Sequence, residues 1–383
     1  MMIQPPLSLY IHLPWCVRKC PYCDFNSHAL RSGIPERRYV KALLADLEQD
    51  LQWHQNPSLV SIFVGGGTPS LFSPESLNDL LNGIRQRAPC GQDIEITLEA
   101  NPGTVEAGKF REFRDLGINR LSLGIQSFQD AKLSALGRIH RGSEALNAIE
   151  SAQKSGFTNL NLDLMFGLPG QNPADALYDL RTAISQNPTH ISYYQLTLEP
   201  NTLFAKYPPP LPPDDEIWEI QRRCHAVLEE SGFHQYEISA FARRGHPCRH
   251  NLNYWRFGDY LGIGAGAHGK ITTPSKGKIH RQWKLRHPVH YMDKAADDSR
   301  MGGRQEVSPS ERPLEFLMNT LRLREGFGRK QFESHTGLPF STIEETVTDL
   351  CGEGLLVDGA HGFHCSDKGW LFLDSILERF TAS

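Results

Sequence analysis

The chain has 383 residues, of which 39% are hydrophobic and 22% charged, and its 40 basic and 44 acidic side chains give a formal net charge of −4. This composition excludes a disordered or collagen-like protein, and the length allows about two to three domains. The near-neutral charge gives no attraction to nucleic acid. No apolar run approaches the ~20 residues of a transmembrane helix, and the N-terminus lacks a signal-peptide pattern. We therefore expect a cytoplasmic globular protein that binds no nucleic acid.

Six apolar segments in the first 200 residues predict β-strands, and amphipathic segments between them predict helices. The strands are residues 7–12, 60–65, 94–99, 120–126, 160–165 and 190–198, and the helices are 35–54, 74–86, 104–116, 143–156 and 172–186. Because helices separate the strands, the strands should run parallel with right-handed crossovers. This order predicts an α/β fold with a partial (βα)6 TIM-like barrel, and the alternative is a doubly wound sheet.

Polar and glycine residues mark the ends of four predicted strands. The sequence GGGTP begins at Gly65 after the second strand, Glu99 ends the third, Gln126 ends the fourth and Asp163 lies within the fifth. In barrels of this kind the active site lies at the C-terminal ends of the strands. These positions therefore predict a functional site at that end of the barrel.

The rest of the chain divides into a connecting region and a tail. We place the barrel at residues 1–235, the connecting region at 236–305 and a C-terminal domain at 306–383. A helix is predicted at 214–230, and the connecting region contains HNLNYW at 250–255 and GDYLGIGAGAHG at 258–269. The segment 270–286 has six basic residues and no acidic one. It is interpreted either as a solvated loop or hairpin or as a surface for an anionic ligand or partner.

The tail has the pattern of a small, mostly helical domain. Helices are predicted at 311–321, 329–335 and 340–353, followed by a hairpin around Asp358 and Gly359 and a last helix from Trp370. This order is typical of a winged-helix-like domain. The segment 306–383 has 13 acidic and 7 basic residues, a net charge of −6, which is the wrong sign for binding phosphates. We expect it to pack on the barrel or to dock a partner.

Three of the eight cysteines are clustered after the first predicted strand. Cys16, Cys20 and Cys23 have the spacing C-x3-C-x2-C within WCVRKCPYCDF. Thiolates are ligands for zinc and for iron-sulfur clusters. Three sulfurs would leave one iron of a four-iron cluster open to a non-protein ligand. The alternative is a structural zinc site completed by His28 or Cys248.

This cysteine loop, followed by the glycine-rich end of the second strand, resembles the radical S-adenosylmethionine (SAM) superfamily. The segments GGGTP, LEANPG, GIQSF, LGRIH and NLDLMFGLPG follow in order. Together they resemble the oxygen-independent coproporphyrinogen III oxidase family and its HemW-type relatives over nearly the whole chain. The resemblance implies a 4Fe-4S cluster held by Cys16, Cys20 and Cys23, with SAM chelated at its open iron.

The resemblance also implies which residues contact the cluster and SAM. Two tyrosines would pack on them, a glycine-rich turn would approach the methionyl end of SAM, and four polar side chains would complete the contacts. In that order these residues are Tyr10 and Tyr22; Gly66, Gly67 and Thr68; and Glu99, Gln126, Arg138 and Asp163. Glycine allows this close approach because it has no side chain, and arginine suits a carboxylate.

Two features distinguish the oxidases of this family from its heme chaperones. The oxidases have a fourth cysteine where this chain has Phe25, and a long extension before the first strand, whereas Tyr10 lies near the start here. HNLNYW matches the HNxxYW motif of the HemW-type heme chaperones. The match implies that His250 binds heme iron and that Tyr254 and Trp255 cover a porphyrin face.

We therefore expect a heme chaperone without coproporphyrinogen oxidase activity. It would carry a 4Fe-4S cluster, SAM and heme, and deliver heme to hemoproteins such as membrane-associated respiratory enzymes. Basic residues between Lys270 and Arg286 are expected to pair with the heme propionates. One alternative is a SAM-dependent oxidative decarboxylase of porphyrin biosynthesis, and another is a zinc-stabilised barrel without activity.

Overall fold

The computed structural model describes residues 2–31, 33–54, 57–103, 108–360 and 362–381. These residues form sixteen strands and fifteen α-helices. The strands are β1 Leu7–Leu13, β2 Trp15–Cys16, β3 His28–Ala29, β4 Leu59–Gly66, β5 Cys90–Ala100, β6 Arg120–Gln126, β7 Asn159–Phe166, β8 His190–Gln195, β9 His234–Glu237, β10 Ala240–Ala242, β11 Asp259–Ile263, β12 His268–Thr273, β13 Lys278–Lys284, β14 Met301–Glu306, β15 Leu356–Gly359 and β16 Gly362–Cys365.

An α-helix overlaps each helical segment that the sequence predicts. The helices are α1 Glu36–Leu51, α2 Pro74–Arg87, α3 Phe110–Asp115, α4 Asp130–Ala135, α5 Gly142–Lys154, α6 Pro173–Ser185, α7 Leu203–Lys206, α8 Asp214–Glu230, α9 Arg249–Trp255, α10 Pro288–Lys294, α11 Arg312–Thr320, α12 Arg329–Thr336, α13 Glu344–Gly352, α14 Asp367–Leu371 and α15 Leu373–Glu378. For the predicted helix 104–116, residues 104–107 lie outside the described part of the chain.

Twelve of the described strands form one sheet in the order β14-β13-β12-β11-β1-β4-β5-β6-β7-β8-β10-β9. The six predicted strands are confirmed as β1, β4, β5, β6, β7 and β8. They are parallel and lie side by side in this order. A doubly wound sheet would reverse this order, so the barrel-type winding is the one observed. β11 adds a parallel strand on the other side of β1, and antiparallel strands extend both edges.

Successive side chains of the parallel strands point to opposite faces of the sheet, one apolar and one polar. On β1, Leu9 and Ile11 are completely buried and belong to the large apolar core that includes the flanking helices. The residues that alternate with them face the other way: Ser8 Oγ lies 2.8 Å from Ser61 Oγ of β4. The polar face therefore lines the interior, where the candidate site lies.

The basic segment 270–286 is a β-hairpin formed by β12 and β13. Two of its lysines are buried inside the protein. Lys270 Nζ donates to Asp259 Oδ1 at 2.8 Å, and Lys284 Nζ pairs with Asp46 and Asp50 at 2.7 and 2.6 Å. These two lysines hold the hairpin on the barrel.

The tail is mostly helical and has a separate apolar core, as predicted. The expected helix 340–353 is interrupted, because a 3-10 turn at Phe340–Thr342 precedes α13. The last helical segment begins at Asp367, before Trp370, and breaks at Phe372 between α14 and α15. Across the described residues, no helix has the length and apolar character needed to cross a membrane. The domain boundaries at 235 and 305 stay predictions.

Candidate functional site

The three clustered cysteines line one cavity of about 390 Å³ at the C-terminal ends of the parallel strands. We call it the cysteine cavity. It is lined by nearly all the residues predicted to contact the cluster and SAM: Cys16, Cys20, Tyr22, Cys23, Gly66, Gly67, Thr68, Glu99, Gln126, Arg138 and Asp163. Residues far apart in the sequence are thus brought together as the barrel interpretation predicts.

The cysteine loop is fixed against the glycine-rich turn after β4. The Gly67 amide donates to Leu13 O at 2.8 Å, and the Thr68 amide donates to Trp15 O at 2.7 Å. A Cβ atom on Gly67 would lie 2.5 Å from Trp15 O, so this position requires glycine. Within the loop, the Cys23 amide donates to Cys20 O at 3.2 Å.

The thiol arrangement fits a cluster better than a single metal ion. Among the described residues, no three His, Cys, Asp or Glu side chains converge closely enough to hold one ion. Cys248, one of the two candidates for a fourth zinc ligand, is completely buried and lies 3.5 Å from Glu95 Oε1. Neither Cys248 nor His28, the other candidate, lines the cysteine cavity. A cubane cluster binds three thiolates through three different irons, so three separated thiols around one cavity suit it.

Arg138 connects the cysteine loop to the strand ends. Its Nη2 donates to Asn101 Oδ1 and to Gly124 O, both at 2.7 Å, and Nη1 lies 3.8 Å from Cys20 Sγ. Asn101 Nδ2 in turn donates to Thr68 Oγ1 at 2.8 Å. The guanidinium Nε is buried without a partner among the described residues, so it can still donate a hydrogen bond to a carboxylate of a ligand.

Two carboxylates face the cavity from β5 and β7. The Gly66 amide donates to Glu99 Oε2 at 3.1 Å, while Asp163 accepts from Ser122 at 3.1 Å and from Asn161 at 2.7 Å. Burial, and secondarily the nearby Asp163 carboxylate, raises the pKa of Glu99 from 4.5 to about 7. Burial also raises the pKa of Asp163. Both carboxyl groups can accept hydrogen bonds from a ligand or pair with a cationic group on it.

Gln126 ends β6 with a left-handed backbone. Its φ is 67°, a conformation that is unfavourable for residues other than glycine and is common at functional sites. Its Oε1 accepts from Tyr194 OH at 2.8 Å. This turn directs the amide into the cysteine cavity.

A second cavity of about 890 Å³ adjoins the first, and we call it the aromatic cavity. Its aromatic lining consists of Tyr10, Phe25, Phe63, Tyr254, Trp255, Tyr260 and Trp283, together with His12, His250 and His268. Tyr10 was predicted to pack on the cluster and SAM, but the structure places it here, with its hydroxyl 2.9 Å from His12 Nδ1. A large aromatic cavity suits a flat apolar ligand.

His250 lies on α9 at the wall of the aromatic cavity and is 7% exposed. Its Nδ1 lies 3.1 Å from Ser61 Oγ, and its ring lies 5.1 Å from that of Phe63. Nε2 forms no hydrogen bond with a described residue. Burial lowers the pKa of His250 from 6.5 to about 3, so the imidazole is neutral and can bind a metal.

Trp255 lies between the two cavities. The guanidinium of Arg322, from the C-terminal domain, stacks on its ring at 4.3 Å and pairs with Glu237 at 3.2 Å. The residues that line both cavities are Phe25, Gly66, Glu99, Asn251 and Trp255. The two cavities therefore share a wall to which the C-terminal domain contributes support.

The expectation that the basic residues of 270–286 meet the propionates is wrong for most of them. Lys270 and Lys284 are buried in internal ion pairs, Arg281 pairs with Glu315 and Lys278 pairs with Glu306 at 2.6 Å. Arg286 lines the aromatic cavity, as Lys284 does, but unlike Lys284 it forms no ion pair with a described residue. It is the cation of this segment best placed for a propionate.

Sequence reasoning missed several residues of both cavities. They include Asn101, Tyr194 and Arg322 beside the cysteine cavity and His12, Phe63, His268 and Trp283 in the aromatic cavity. A signal was present for some, since polar residues alternate with leucine and isoleucine on β1, as in Ser8, Tyr10 and His12. Such alternation in a parallel strand, which is usually apolar on both faces, indicates a polar interior.

Comparisons with known proteins agree with this geometry. The sequence pattern of the radical SAM superfamily matches residues 10–183, and that of the HemN C-terminal domain matches residues 307–372. Curated relatives named heme chaperone HemW are 50% identical in Escherichia coli, covering 100% of both chains, and 34% identical in Bacillus subtilis, covering 97% of this chain and 98% of that protein.

A solved structure of the coproporphyrinogen III oxidase HemN from Escherichia coli is also similar. It superimposes with a TM-score of 0.82 over 99% of this chain and 91% of that chain, at 22% identity. At that identity the likeness shows the fold alone. The full-length similarity to the curated relatives shows the family: this chain belongs to the HemW family of the radical SAM superfamily.

Proposed function

We propose that this protein is a heme chaperone that binds heme in the aromatic cavity through His250. The observation that carries the proposal is the neutral imidazole of His250, whose Nε2 bonds no described residue, on the wall of an aromatic cavity of about 890 Å³. Tyr254 and Trp255 on the same helix would cover a porphyrin face, and Arg286 would pair with a propionate. The curated relatives named as heme chaperones support this assignment.

We further propose that the cysteine cavity holds a 4Fe-4S cluster and SAM. Cys16, Cys20 and Cys23 would bind the cluster, and Arg138 and Glu99 would contact the carboxylate and amino groups of SAM. When bound, these cofactors supply one-electron chemistry. The protein's own contribution is to hold the cysteine loop against the Gly67 turn and to separate the cofactors from the heme by the shared wall.

Delivery of heme to acceptor hemoproteins follows as part of the same proposal. We infer that the acceptors include membrane-associated respiratory enzymes and that the chaperone works in the cytoplasm. The aromatic cavity opens beside the exposed side chain of Phe25, so bound heme would have a route to the surface. Transfer from the loaded protein to an apo-cytochrome, followed by its absorption spectrum, tests this part.

The binding proposal is tested by anaerobic titration of heme into the cluster-loaded protein, followed by absorption spectra. One-to-one binding is expected, and His250→Ala should weaken it strongly. His234→Ala is the matched control, because His234 is exposed on β9 away from both cavities. Equal binding by all three proteins would contradict the assignment of His250. Absence of specific binding, with SAM-dependent decarboxylation of coproporphyrinogen III, would favour an oxidase.

A further inference from the structure

The aromatic cavity contains a second histidine that no proposed contact uses. His268 is the first residue of β12 and is exposed to the cavity. It belongs to the GDYLGIGAGAHG segment, whose function the proposal above leaves unexplained. The cavity has three histidines whose imidazoles are potential iron ligands: His12, His250 and His268.

Hydrogen bonding distinguishes these three imidazoles. Both ring nitrogens of His12 are occupied, since Nδ1 lies 2.9 Å from Tyr10 OH and Nε2 lies 2.9 Å from Asn26 O. His250 has one occupied nitrogen, bonded to Ser61. For His268, neither ring nitrogen bonds a described residue. The cavity thus offers two imidazoles with a nitrogen available for a metal.

The other iron-binding side chains are less suitable. The hydroxyl of Tyr10 is bonded to His12, and the Tyr254 and Tyr260 hydroxyls bond to each other at 3.3 Å, with Arg281 donating to Tyr260 at 2.7 Å. No cysteine lines the aromatic cavity. Burial, and secondarily the nearby arginines, lowers the pKa of His268, which keeps its imidazole neutral and able to act as a ligand.

His250 and His268 lie on different walls of the cavity. α9, which carries His250, packs against β4, whereas β12 lies beyond β11 on the opposite side of β1. The ring of Tyr10 on β1 lies between these walls, 6.4 Å from the His250 ring. The two imidazoles therefore reach the aromatic cavity from walls on either side of β1.

The turn that carries His268 is rigidly held. The Gly264 amide donates to Tyr291 OH at 3.0 Å, and the Ala265 amide donates to Tyr39 OH at 2.8 Å. Gly264 has a φ of 110°, which accounts for a glycine in this turn. The His268 ring also stacks on Trp283, with 6.1 Å between centroids and 24° between planes. The His268 imidazole is therefore preorganised to bind a metal.

We propose that His268 is the second axial ligand of the heme iron, opposite His250. This inference rests on the proposed heme-binding function. It predicts that the loaded protein contains low-spin ferric heme rather than the high-spin ferric heme, five-coordinate or with water as sixth ligand, that one histidine alone would give. The glycine-rich segment then serves to position an iron ligand.

The test is ferric heme titration of the full chain, followed by absorption and electron paramagnetic resonance spectra. The wild type is expected to bind one heme with a low-spin signal. His268→Ala should still bind one heme, lose the low-spin signal and regain it with added imidazole. His280→Ala is the matched control, because it removes an imidazole from the same hairpin outside the aromatic cavity, and it should stay low-spin. Circular dichroism verifies that each variant is folded.

The outcomes separate the ligand assignment from the proposed function. A low-spin spectrum that persists unchanged in His268→Ala would overturn the assignment and leave heme binding intact. A high-spin wild type with one bound heme would do the same. A wild type without stoichiometric binding would overturn the proposed function, and the ligand assignment with it.

Discussion

At the scale of single residues, Glu99 has the property most accessible to experiment. Its folded pKa of about 7 lies above the ordinary 4.5, mainly because the carboxyl is buried. The folded state therefore binds this proton more tightly than the unfolded state does. The resulting contribution to stability is complete below pH 4.5 and is lost as pH rises through 7.

Glu99→Gln should remove this pH dependence, because glutamine can still accept the Gly66 amide but cannot ionise. Relative to the variant, the wild type's free energy of unfolding should fall by about 2 kcal/mol between pH 4 and 8, after allowance for solvent screening in the cavity. Urea unfolding at both pH values measures this. A difference that stays constant with pH would show that the Glu99 pKa is not raised.

At the scale of elements, α1 is attached to the β12–β13 hairpin by buried charges. Asp46 and Asp50 of α1 pair with Lys284 and with Arg300, and all four side chains are fully buried. Lys284→Met would leave two carboxylates with one cation, and breaking a buried pair in this way costs about 3–5 kcal/mol. We expect a clear fall in the urea midpoint.

The matched control for this variant lies in the same hairpin. Lys278→Met removes a cation whose pair with Glu306 is exposed, and exposed pairs contribute about 0–1 kcal/mol. Its urea midpoint should therefore stay close to that of the wild type. Equal midpoints for the two variants would show that the buried network contributes little to stability.

These elements also show what can be predicted from the sequence. The six parallel strands and their helices were predictable because helical spacing and apolar runs are local properties. β11 was not, because it pairs with β1 some 250 residues earlier in the chain, and nothing local indicates a partner. The cysteine cavity was predicted through motifs. Lys270 and Lys284 form ion pairs with buried aspartates that lie outside the 270–286 segment. Because these pairs could not be predicted, the positive charges of the segment suggested an anionic ligand.

At the scale of the whole molecule, we expect that the cluster can be removed from the cysteine cavity without loss of heme from the aromatic cavity. Replacing Cys16, Cys20 and Cys23 together with serine should abolish incorporation of iron and sulfide, because serine is a poor ligand for these clusters. One-to-one heme binding should persist, because no cysteine lines the aromatic cavity. Chemical analysis of iron and sulfide, with heme titration of the same sample, measures both. Cys90→Ser, at a cysteine outside both cavities, should retain the cluster.

The shared wall predicts that SAM and heme affect each other's binding. Phe25, Asn251 and Trp255 face both cavities, so the first ligand to bind would order side chains that the second also contacts, and the second would lose less entropy. SAM should therefore tighten heme binding by about fivefold or more, and heme should tighten SAM binding by the same factor, as linkage requires.

Calorimetric titrations of each ligand with and without the other measure this coupling, and Trp255→Ala should reduce it. His140→Ala is a suitable control, because His140 is buried near Arg138 outside the shared wall, and it should keep the coupling. If each ligand binds with the same affinity whether or not the other is present, the wall separates two independent sites. SAM and heme are instead expected to tighten each other's binding by the same factor, and Trp255→Ala should lower both factors. That result would establish Trp255 as the residue through which the cysteine cavity acts on the aromatic cavity.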